Sequence, residues 1–378
     1  MEKILLIENF SSDFYKSRIH LAKFLKNRGW EVYALVPKDD YFDLICNEGI
    51  NVIEYNFERK DKGLRQLIRL ITIYRRIINE YNFDIIHSFR FQPNLLNVLS
   101  NLFNKRKVVL HITGLGIAFS NSSLKYIIFR IISQLILQIK MFRANKIIVQ
   151  NQNDIEDIWL SELWSKKIHL IKGSGVDIAF FNKELFNRDN LRKSMSIPVE
   201  DKIFICVTRL IWEKGIQEMI EAFQSLNLIY PNLKLWIVGW SDKDNPRHIE
   251  SAFIQSFGKD NNILFLGKKD NIRELLAVSD VFLYPSYYRE GIPRSILEAL
   301  AMSLPIITTD MPGCNLTVVN DKNGYLISPR STKAIKEAVV QFVNNELVVE
   351  MGNASRILCE NEFSDTIIFD QISKVYNL

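Results

Sequence analysis

The sequence predicts an α/β protein made of two doubly wound domains, each with a parallel sheet. Short runs of β-branched and other apolar residues recur along the chain, and stretches with helical periodicity separate them. The runs do not alternate apolar and polar residues, which is typical of strands buried on both faces of a parallel sheet. The length of 378 residues suits two domains rather than one.

The predicted strands form two series along the chain. The first series comprises 4–7, 32–36, 52–55, 85–87, 108–112, 147–149 and 168–171, and the second comprises 203–207, 235–238, 263–266, 281–284 and 305–308. Glycines in the segment 172–177 interrupt the alternation between the two series. We therefore place one domain over residues 1–172 and the other over residues 173–363. A ligand is expected between them, at the carboxyl ends of the strands.

The cysteines and the apolar stretches exclude several classes of protein. Four cysteines lie far apart without a CxxC pair, so neither a zinc site nor a disulfide framework is expected. The first residues form a short strand rather than a secretory signal, which predicts a cytoplasmic protein. The longest apolar stretch, 126–142, is interrupted by polar residues and is too short to span a membrane. Its isoleucines and leucines are expected to lie mostly in the domain core.

The net charge of +5 is concentrated in the first half of the chain, where no acidic residue lies between Asp84 and Asp154. The basic residues of this interval are Arg90, Lys105, Arg106, Lys107, Lys125, Arg130, Lys140, Arg143 and Lys146. A second basic cluster comprises Arg59, Lys60, Lys62, Arg65, Arg69, Arg75 and Arg76. Basic helices bind anionic membrane surfaces at about 1 kcal/mol per cation, and the alternative is a solvated face without a partner. The lack of RNP, zinc-finger and GXXG motifs disfavours nucleic acid.

Nucleotide-binding motifs narrow the choice of enzyme class. The loop after the first predicted strand has no glycine, so the GxGxxG fingerprint of dehydrogenases is missing there, and no GxxxxGK[ST] sequence occurs. The second domain instead places Arg209 and Lys214 after its first strand, around the start of the next predicted helix. Two cations and a helix amino terminus can hold a diphosphate. The alternative interpretation is a pair of surface cations.

A second candidate loop follows the predicted strand at 281–284. Pro293 is predicted in the first turn of a helix, so Glu290 lies ahead of backbone N–H groups that can bind an anion. Glu298 falls among apolar residues of that helix, where a carboxylate needs a hydroxyl group or a cation as partner. Ribose hydroxyls would satisfy it. The alternative is a surface helix with two exposed glutamates.

Glu290 and Glu298 are separated by seven residues in EGIPRSILEALAMSLPIITTDMPG, which resembles the E-x7-E motif of retaining glycosyltransferase family 4. The segments VTRLIWEKG and GSGVDIAFF are similar to the family's diphosphate-binding loop and to its crossover between domains. In the first domain, HITGLGIAF and ANKIIVQNQND resemble the branch that builds bacterial capsule, O-antigen and lipid-linked oligosaccharide chains. The resemblance extends along nearly the whole chain.

The resemblance implies a GT-B fold, with two Rossmann-like domains facing across a cleft and a final helix, residues 364–378, that crosses back to the first domain. It also implies a hexosyltransferase that moves a sugar with retention from a nucleotide donor, usually UDP-linked, to an undecaprenyl-diphosphate-linked acceptor. Such an enzyme would lie at the inner face of the cell membrane. Two alternatives stay open: a nucleotide-sugar epimerase or hydrolase on the same scaffold, and a noncatalytic saccharide-binding protein at the membrane surface.

The functional residues of the family correspond to positions in both predicted domains. The resemblance implies that Arg209 and Lys214 neutralise the donor diphosphate. It implies that Glu298 binds the ribose hydroxyls and that Glu290 lies beside the transferred sugar. The loop that lines the sugar and phosphate comprises Gly291, Ile292, Pro293 and Arg294, and the base would lie near Gly239, Gly267 and Lys268. The acceptor side of the first domain comprises Arg18, His111, Thr113, Gly114, Leu115 and Gly116. Many family members carry a glycine pair after the first strand, where this chain has NFSS.

No metal and no cofactor are expected. The sequence DKD at 242–244 has the form of the DxD motif of metal-dependent transferases, but it lies in a polar loop. Arg209 and Lys214 already supply the positive charge that a metal would bring. His111 ends a predicted strand, where it either contacts the sugar or the acceptor or is a core histidine. Arg18 lies on the first predicted helix, where it either meets an acceptor phosphate or belongs to a plain surface.

Overall fold

The computed structural model describes residues 2–56, 63–119, 123–241, 245, 247–258, 260–343 and 346–377. The chain divides into two compact units. Unit 1 comprises Met1–Gly175 with Asp365–Leu378, and unit 2 comprises Val176–Ser364. Each unit is built on one parallel sheet with helices packed on it. This confirms the predicted class of two doubly wound α/β domains.

Unit 1 contains a seven-stranded sheet with the order β3-β2-β1-β4-β5-β6-β7. Its strands are β1 Lys3–Ile7, β2 Glu31–Pro37, β3 Asn51–Tyr55, β4 Ile85–Phe89, β5 Lys107–Ile112, β6 Lys146–Val149 and β7 Ile168–Leu170. Its helices are α1 Ser11–Ser17, α2 Ile19–Asn27, α3 Phe42–Asn47, α4 Leu64–Tyr81, α5 Phe91–Ser100, α6 Leu124–Arg143 and α7 Gln152–Asp157, and the final helix described below. The central strands β1, β4 and β5 are almost wholly buried, which explains their continuous apolar sequences.

Unit 2 contains a six-stranded sheet with the order β10-β9-β8-β11-β12-β13. Its strands are β8 Lys202–Val207, β9 Leu233–Val238, β10 Ile263–Gly267, β11 Val281–Tyr284, β12 Ile306–Thr309 and β13 Gly324–Ile327. Its helices are α8 Arg188–Ser194, α9 Ile216–Asn227, α10 Ser251–Gln255, α11 Ile272–Val278, α12 Arg294–Ala301, α13 Thr332–Gln341 and α14 Glu346–Glu362. One contiguous apolar core surrounds this sheet.

Strand β13 is the described strand that the sequence analysis missed. It pairs with β12 at the edge of the sheet. Its sequence begins with a glycine, and Tyr325 and Leu326 are only partly buried. It therefore lacks the continuous β-branched run by which a buried strand is recognised.

The order of each sheet reverses next to its first strand. β1 pairs with β2 on one side and with β4 on the other, and β8 pairs with β9 and with β11. Loops that leave two such neighbouring strands run in opposite directions over the sheet, which leaves room for a ligand at the carboxyl ends. The loops after β1 and β4 in unit 1, and after β8 and β11 in unit 2, are therefore the expected binding positions.

The final helix, α15 Asp365–Asn377, packs in the core of unit 1. Its residues Ile368, Phe369 and Ile372 are buried in a cluster with residues of α2 and the central sheet. Arg28 at the end of α2 donates a hydrogen bond of 2.5 Å to Asp370. The last helix thus returns to the first sheet, as the resemblance implied.

Helix α6 differs from the expectation. The apolar face that was assigned mostly to the domain core is 41–55% exposed at Ile127, Ile128, Ile131, Ile132, Leu135 and Ile139. Polar residues of this helix turn inward instead, because carbonyl oxygens at the end of α7 and shortly after it accept their hydrogen bonds. Gln134 donates to Asp157 O at 2.5 Å and Gln138 donates to Trp159 O at 2.6 Å. None of the helices in the described ranges combines the length and the apolar composition that a membrane span needs.

Candidate active site

The loop after β8 carries the first pair of predicted site residues. It passes through a single 3-10 turn, Trp212–Lys214, to Gly215, which caps α9. Gly215 has a φ of +72°, and a Cβ at this position would collide with the carbonyl oxygen of Pro285. Only glycine permits this backbone conformation and this approach without strain. The loops after β8 and β11 are therefore held against each other.

Lys214 lies where these two loops meet, and its side chain is 2% exposed. Its ammonium group donates to the hydroxyl of Tyr284 at 2.6 Å and to Oε1 of Glu290 at 2.5 Å. A buried ammonium group requires partners of this kind, because its desolvation is otherwise too costly. The interpretation of Lys214 as a surface cation is therefore wrong.

Glu290 is fixed through one of its two carboxylate oxygens. Tyr284 donates to Oε1 at 3.0 Å, in addition to the hydrogen bond from Lys214. Burial, and secondly the Glu290 carboxylate, raise the pKa of Tyr284 well above its usual value, so its hydroxyl is neutral and can donate. Within the described part of the chain, Oε2 has no hydrogen-bond partner. This oxygen is oriented but left available to a ligand.

The start of α12 offers backbone donors beside Glu290. Pro293 is the N-cap, with φ −65° and ψ 122°, and Arg294 is the first helical residue. Pro293 therefore lies one position before the first turn, in which the sequence pattern predicts it. The N–H groups of Gly291, Arg294 and Ser295 find no acceptor among the residues that the structure describes. Free N–H groups at a helix start can bind an anion.

Gly313, in the loop after β12, presses against this segment. Its φ is +86°, and a Cβ there would collide with the carbonyl oxygens of Glu290 and Gly291. The loop after β12 therefore packs directly against the backbone of Glu290 and Gly291. A larger residue at position 313 would displace it.

Glu298 is half-buried on α12, and its carboxylate accepts a hydrogen bond of 2.8 Å from Nε of Arg294. A carboxylate among apolar residues needs a hydroxyl group or a cation as partner, and Arg294 supplies a cation one turn earlier on the same helix. A ribose would have to share Glu298 with Arg294. The two predicted glutamates thus both lie in ion pairs rather than on an open surface.

The remaining predicted residues of unit 2 lie at the ends of neighbouring strands. Arg209 follows β8 and is half-buried. The N–H of Gly239, after β9, donates to the carbonyl oxygen of Gly267 at the end of β10 at 2.9 Å. Lys268 is exposed. These residues therefore share the carboxyl edge of the sheet with Lys214, whereas the DKD sequence at 242–244 lies outside the described residues.

Unit 1 carries a second polar cluster, centred on Glu8 directly after β1. Glu8 is fully buried, and its carboxylate oxygens lie 3.3 Å from Nε of Arg90 and 3.8 Å from Nε of Arg18. Burial raises the pKa of Glu8, and the two guanidinium groups lower it. Arg18 is buried, so its assignment to a plain surface is wrong. Glu8 is not among the predicted site residues, although a glutamate directly after a buried strand is a usable signal.

Arg90 has the most unusual backbone of this cluster. Its φ of 73° and ψ of 175° lie in a region that is essentially restricted to glycine. It pairs with Asp13 at 2.8 Å as well as with Glu8. Strain of this kind costs about 1–3 kcal/mol and is concentrated at functional sites.

His87 and His111 form a buried pair next to this cluster. Their rings stack with centroids 5.6 Å apart and an angle of 2° between the planes. Burial, with a smaller effect of Arg18, lowers the pKa of both imidazoles well below the usual value, so both are neutral. Nδ1 of His87 lies 2.6 Å from the hydroxyl of Tyr376. In the described structure, Nε2 of His87 and Nδ1 of His111 have no partner.

The predicted acceptor loop follows β5. Thr113, Gly114, Leu115 and Gly116 are partly buried and line a cavity of about 250 Å³ beside α6. The loop thus lies at the same sheet edge as His111 and near the polar cluster of Glu8. The structure brings the predicted acceptor-side residues together within unit 1.

Several of the basic residues between Asp84 and Asp154 have partners within unit 1. Lys140 is buried, Lys107 donates to the backbone of Tyr376, and Arg143 donates to the carbonyl oxygens of Asn101 and Asn104. Of the second cluster, residues 57–62 lie outside the described residues. Its exposed members on α4 are Arg65, Arg69, Arg75 and Arg76.

Comparisons with known proteins agree with this architecture. The family described as "Glycosyl transferases group 1" matches residues 187–357, and "Glycosyl transferase 4-like" matches residues 3–151. The N,N'-diacetylbacillosaminyl-diphospho-undecaprenol alpha-1,3-N-acetylgalactosaminyltransferase of Campylobacter jejuni is 25% identical over 98% of this chain and 95% of its own length. The capsular polysaccharide biosynthesis glycosyltransferase CapM of Staphylococcus aureus is 27% identical over 94% of this chain and 92% of its own.

Solved structures share the fold. A glycosyltransferase from Rickettsia africae superposes with a TM-score of 0.79 at 20% identity, covering 99% of this chain and 97% of that one. Anabaena HepE in complex with UDP superposes with a TM-score of 0.80 at 18% identity, covering both chains fully. The expected GT-B fold is thus confirmed. The two family matches together cover most of both units. The chain therefore belongs to the glycosyltransferases, with a first domain of the glycosyl transferase 4-like family and a second domain of the group 1 family.

Proposed function

We propose that this glycosyltransferase transfers a sugar, with retention, from a UDP-linked donor to an undecaprenyl-diphosphate-linked saccharide during synthesis of a bacterial surface polysaccharide. The Campylobacter jejuni relative is named for a diphospho-undecaprenol acceptor, and the Staphylococcus aureus relative is named for capsule synthesis. Both relatives match this chain over nearly its whole length. Their names support the acceptor class and the pathway class of the proposal.

The buried ammonium group of Lys214 is the observation that carries the proposal. A nucleoside diphosphate gains negative charge as the bond to the sugar breaks, so a cation held in place stabilises the transition state without reorganisation. Lys214 is held by Tyr284 and Glu290, next to N–H groups at the start of α12 that find no acceptor among the described residues. We assign the donor diphosphate to this position, with Arg209 as the second cation.

Each of the two glutamates is assigned to one end of the donor, Glu290 to the transferred sugar and Glu298 to the ribose. Oε2 of Glu290 has no partner within the described residues, so it can accept a hydroxyl of the transferred sugar. Glu298 accepts from Arg294 and can accept ribose hydroxyls on its remaining lone pairs. The base would lie toward Gly239, Gly267 and Lys268. In this arrangement the diphosphate lies between the two carboxylates.

Retention follows if the acceptor hydroxyl attacks from the side of the leaving group. Its proton then passes to the departing phosphate, which becomes more basic as the bond breaks. Such a route requires no enzymic nucleophile. Lys214 and Arg209 replace the charge that a metal supplies in other transferases, so we propose a reaction without metal.

The reaction is tested by incubating the full-length protein with a panel of nucleotide sugars and a lipid-diphosphate saccharide. Mass spectrometry is expected to show one added sugar, and NMR is expected to show the anomeric configuration of the donor. Consumption of nucleotide sugar without any acceptor would instead identify the epimerase or hydrolase. Lys214→Met is expected to lower kcat by about 10²–10³-fold. Lys193→Met, an exposed lysine on α8, serves as the control and is expected to retain full activity.

We assign the membrane contact to the layer of helices α4, α5 and α6 in unit 1. Helix α5 packs against both of its neighbours. The exposed arginines of α4 suit anionic headgroups, and the exposed isoleucines of α6 suit the boundary between headgroups and acyl chains. A protein whose acceptor is a membrane lipid gains from such a surface, because the lipid end of its substrate stays in the bilayer.

Vesicle co-sedimentation tests this surface. Binding to vesicles that contain phosphatidylglycerol is expected to fall when salt is raised, since exposed arginines are screened. Ile128→Glu with Ile132→Glu is expected to abolish binding. The matched control is Ile357→Glu, because Ile357 is an equally exposed isoleucine on α14 in unit 2. Equal binding of the wild type, the α6 double variant and the Ile357 variant would contradict the assignment, and so would binding that does not change with salt concentration.

A further inference from the structure

Helices α5 and α6 and the predicted acceptor loop of unit 1 line a partly open cavity of about 250 Å³. Most of its lining is apolar, with Phe91, Leu115, Phe119, Phe129 and Leu137 among the contributing residues. Lys140 and Arg90 are the two charged residues in the lining. An apolar cavity with one or two cations suits a ligand in which an anionic group is joined to hydrocarbon.

Lys140 is a buried cation without a counterion among the described residues. Its side chain is 2% exposed, and its ammonium group donates to the carbonyl oxygen of Phe91 at 2.9 Å. The same group lies 3.3 Å from the ring centroid of Phe91. No carboxylate in the described part of the chain lies within ion-pair distance of it. Burial without a carboxylate is costly for a cation, and it lowers the pKa of Lys140 well below its usual value.

A structural role alone does not account for this lysine. A methionine or leucine would fill the same space on α6 without desolvating an amine. Phe91, the residue that the ammonium group contacts, lines the same cavity. An anion in the cavity would give Lys140 the counterion that no described carboxylate supplies.

The cavity also adjoins the exposed surface of α6. Phe129 lines the cavity and is 48% exposed, so it belongs both to the cavity wall and to the apolar surface that we assign to the membrane. Arg90 also lines the cavity, and its guanidinium group pairs with Glu8 at the centre of the polar cluster. The cavity therefore connects lipid-facing hydrocarbon with the expected position of the saccharide.

We propose that this cavity binds the head of the polyprenyl-diphosphate acceptor, with its first isoprene units against Phe129 and Leu137 and a phosphate on Lys140. The proposal rests on the proposed function and names the part of unit 1 that recognises the lipid. Its occupant is an acceptor lipid, not a bulk phospholipid, because a volume of about 250 Å³ suits the phosphate and first units of a single chain better than the two acyl chains of a phospholipid. The saccharide would lie toward Arg90 and the loop of Thr113 and Gly114.

Two variants separate the phosphate contact from the isoprenoid contact. Lys140→Met removes the charge and keeps the volume, whereas Ser133→Leu fills part of the cavity from the buried face of α6 and keeps the charge. Each is assayed with the polyprenyl-diphosphate saccharide and with the same saccharide diphosphate carrying a short alkyl group. Lys193→Met is the control, and thermal unfolding verifies that every variant is folded.

We expect Lys140→Met to raise the KM for both acceptors at least tenfold and to leave the KM for the donor unchanged. Ser133→Leu is expected to raise the KM at least tenfold for the polyprenyl acceptor and to have little effect with the short one. Acceptor KM values equal to wild type in both folded variants would overturn the proposal. A wild-type protein that transfers to neither acceptor would overturn the proposed function instead.

Direct binding distinguishes the source of the ligand. Farnesyl diphosphate is titrated into the full-length protein, and dioctanoyl phosphatidylglycerol is titrated in parallel. Saturable binding of farnesyl diphosphate that weakens at least tenfold in Lys140→Met supports the proposal. Stronger binding of the phospholipid, lost in the same variant, would assign the cavity to a membrane lipid and overturn it.

Discussion

Lys214 and Lys140 are both buried ammonium groups, but their surroundings differ. Lys214 has Glu290 as a counterion, whereas no described carboxylate pairs with Lys140. The sequence analysis identified Lys214 because it precedes a helix after a strand. Lys140 was counted there as one of the basic residues between Asp84 and Asp154 and as a polar residue of the apolar stretch, since periodicity cannot show whether a polar residue faces solvent or a backbone carbonyl.

Glu298→Gln tests the assignment of the ribose. The variant keeps the shape of the side chain but removes the charge, so hydrogen bonds from ribose hydroxyls weaken by about 1.5 kcal/mol. We expect the KM for the nucleotide donor to rise about tenfold, and inhibition by inorganic pyrophosphate to stay unchanged. Glu337→Gln is the matched control, because Glu337 forms an exposed i,i+4 pair with Lys333. A donor KM equal to wild type would exclude Glu298 from the ribose contact.

The pair of His87 and His111 predicts how stability depends on pH. Burial holds both folded-state pKa values below the unfolded value of about 6.5, so the unfolded state binds protons first. Their contribution is fully present above pH 6.5 and is lost as the pH falls below it, by about 1.4 kcal/mol per pH unit for each histidine.

Urea unfolding between pH 5 and pH 7.5 measures this dependence. His87→Gln and His111→Gln are each expected to reduce the slope of the unfolding free energy against pH below pH 6.5. The slope is informative even where a variant loses packing, because that loss is nearly constant with pH. His248→Gln in unit 2 is the control. An unchanged slope in both variants would show that these histidines are not buried as neutral groups.

At the scale of elements, the sequence predicted the strands well and the faces of helices less well. Buried parallel strands must be apolar on both sides, so twelve of the thirteen strands in the described ranges could be predicted from the sequence. The missed β13 is an edge strand that depends on pairing with β12. Helix α6 was oriented wrongly because its glutamines and Lys140 have backbone carbonyl partners that lie far away in the sequence.

The C-terminal helix provides a test at the same scale. Ile372 on α15 is buried in the core of unit 1, and Ile357 on α14 is exposed in unit 2. Ile372→Ala is expected to lower the unfolding free energy of unit 1 by about 2–5 kcal/mol, and Ile357→Ala to change stability by less than about 0.5 kcal/mol. Hydrogen exchange is expected to show the loss of protection in β1 and β4 rather than in β8. Loss confined to β8 would show that α15 does not belong to unit 1.

At the scale of the whole molecule, local patterns predicted two sheets and the positions of their switch loops. They did not predict contacts between distant segments, such as the approach of Tyr376 to His87 or of Pro285 to Gly215. These contacts decide which residues of a loop are buried and which face a ligand. Arg209, Lys214 and Glu290 were identified in loops that follow strands, and Glu298 was identified as a carboxylate among apolar residues of a helix. Tyr284 was missed because it lies within a strand.

The absence of a metal requirement is a prediction for the whole enzyme. If Lys214 and Arg209 supply the charge that stabilises the leaving diphosphate, chelation by EDTA is expected to leave the rate of transfer within about twofold of its value in Mg²⁺. A control transferase with a metal-dependent DxD motif verifies that chelation is complete. Loss of activity in EDTA that Mg²⁺ or Mn²⁺ restores would contradict the prediction.

A crystal structure of the full-length protein with its intact nucleotide-sugar donor tests the central assignment most directly. The account predicts the diphosphate within hydrogen-bond distance of Lys214 and the start of α12, with the sugar at Glu290 and the ribose at Glu298. A donor bound with its diphosphate away from Lys214, or with its ribose remote from Glu298, would contradict it.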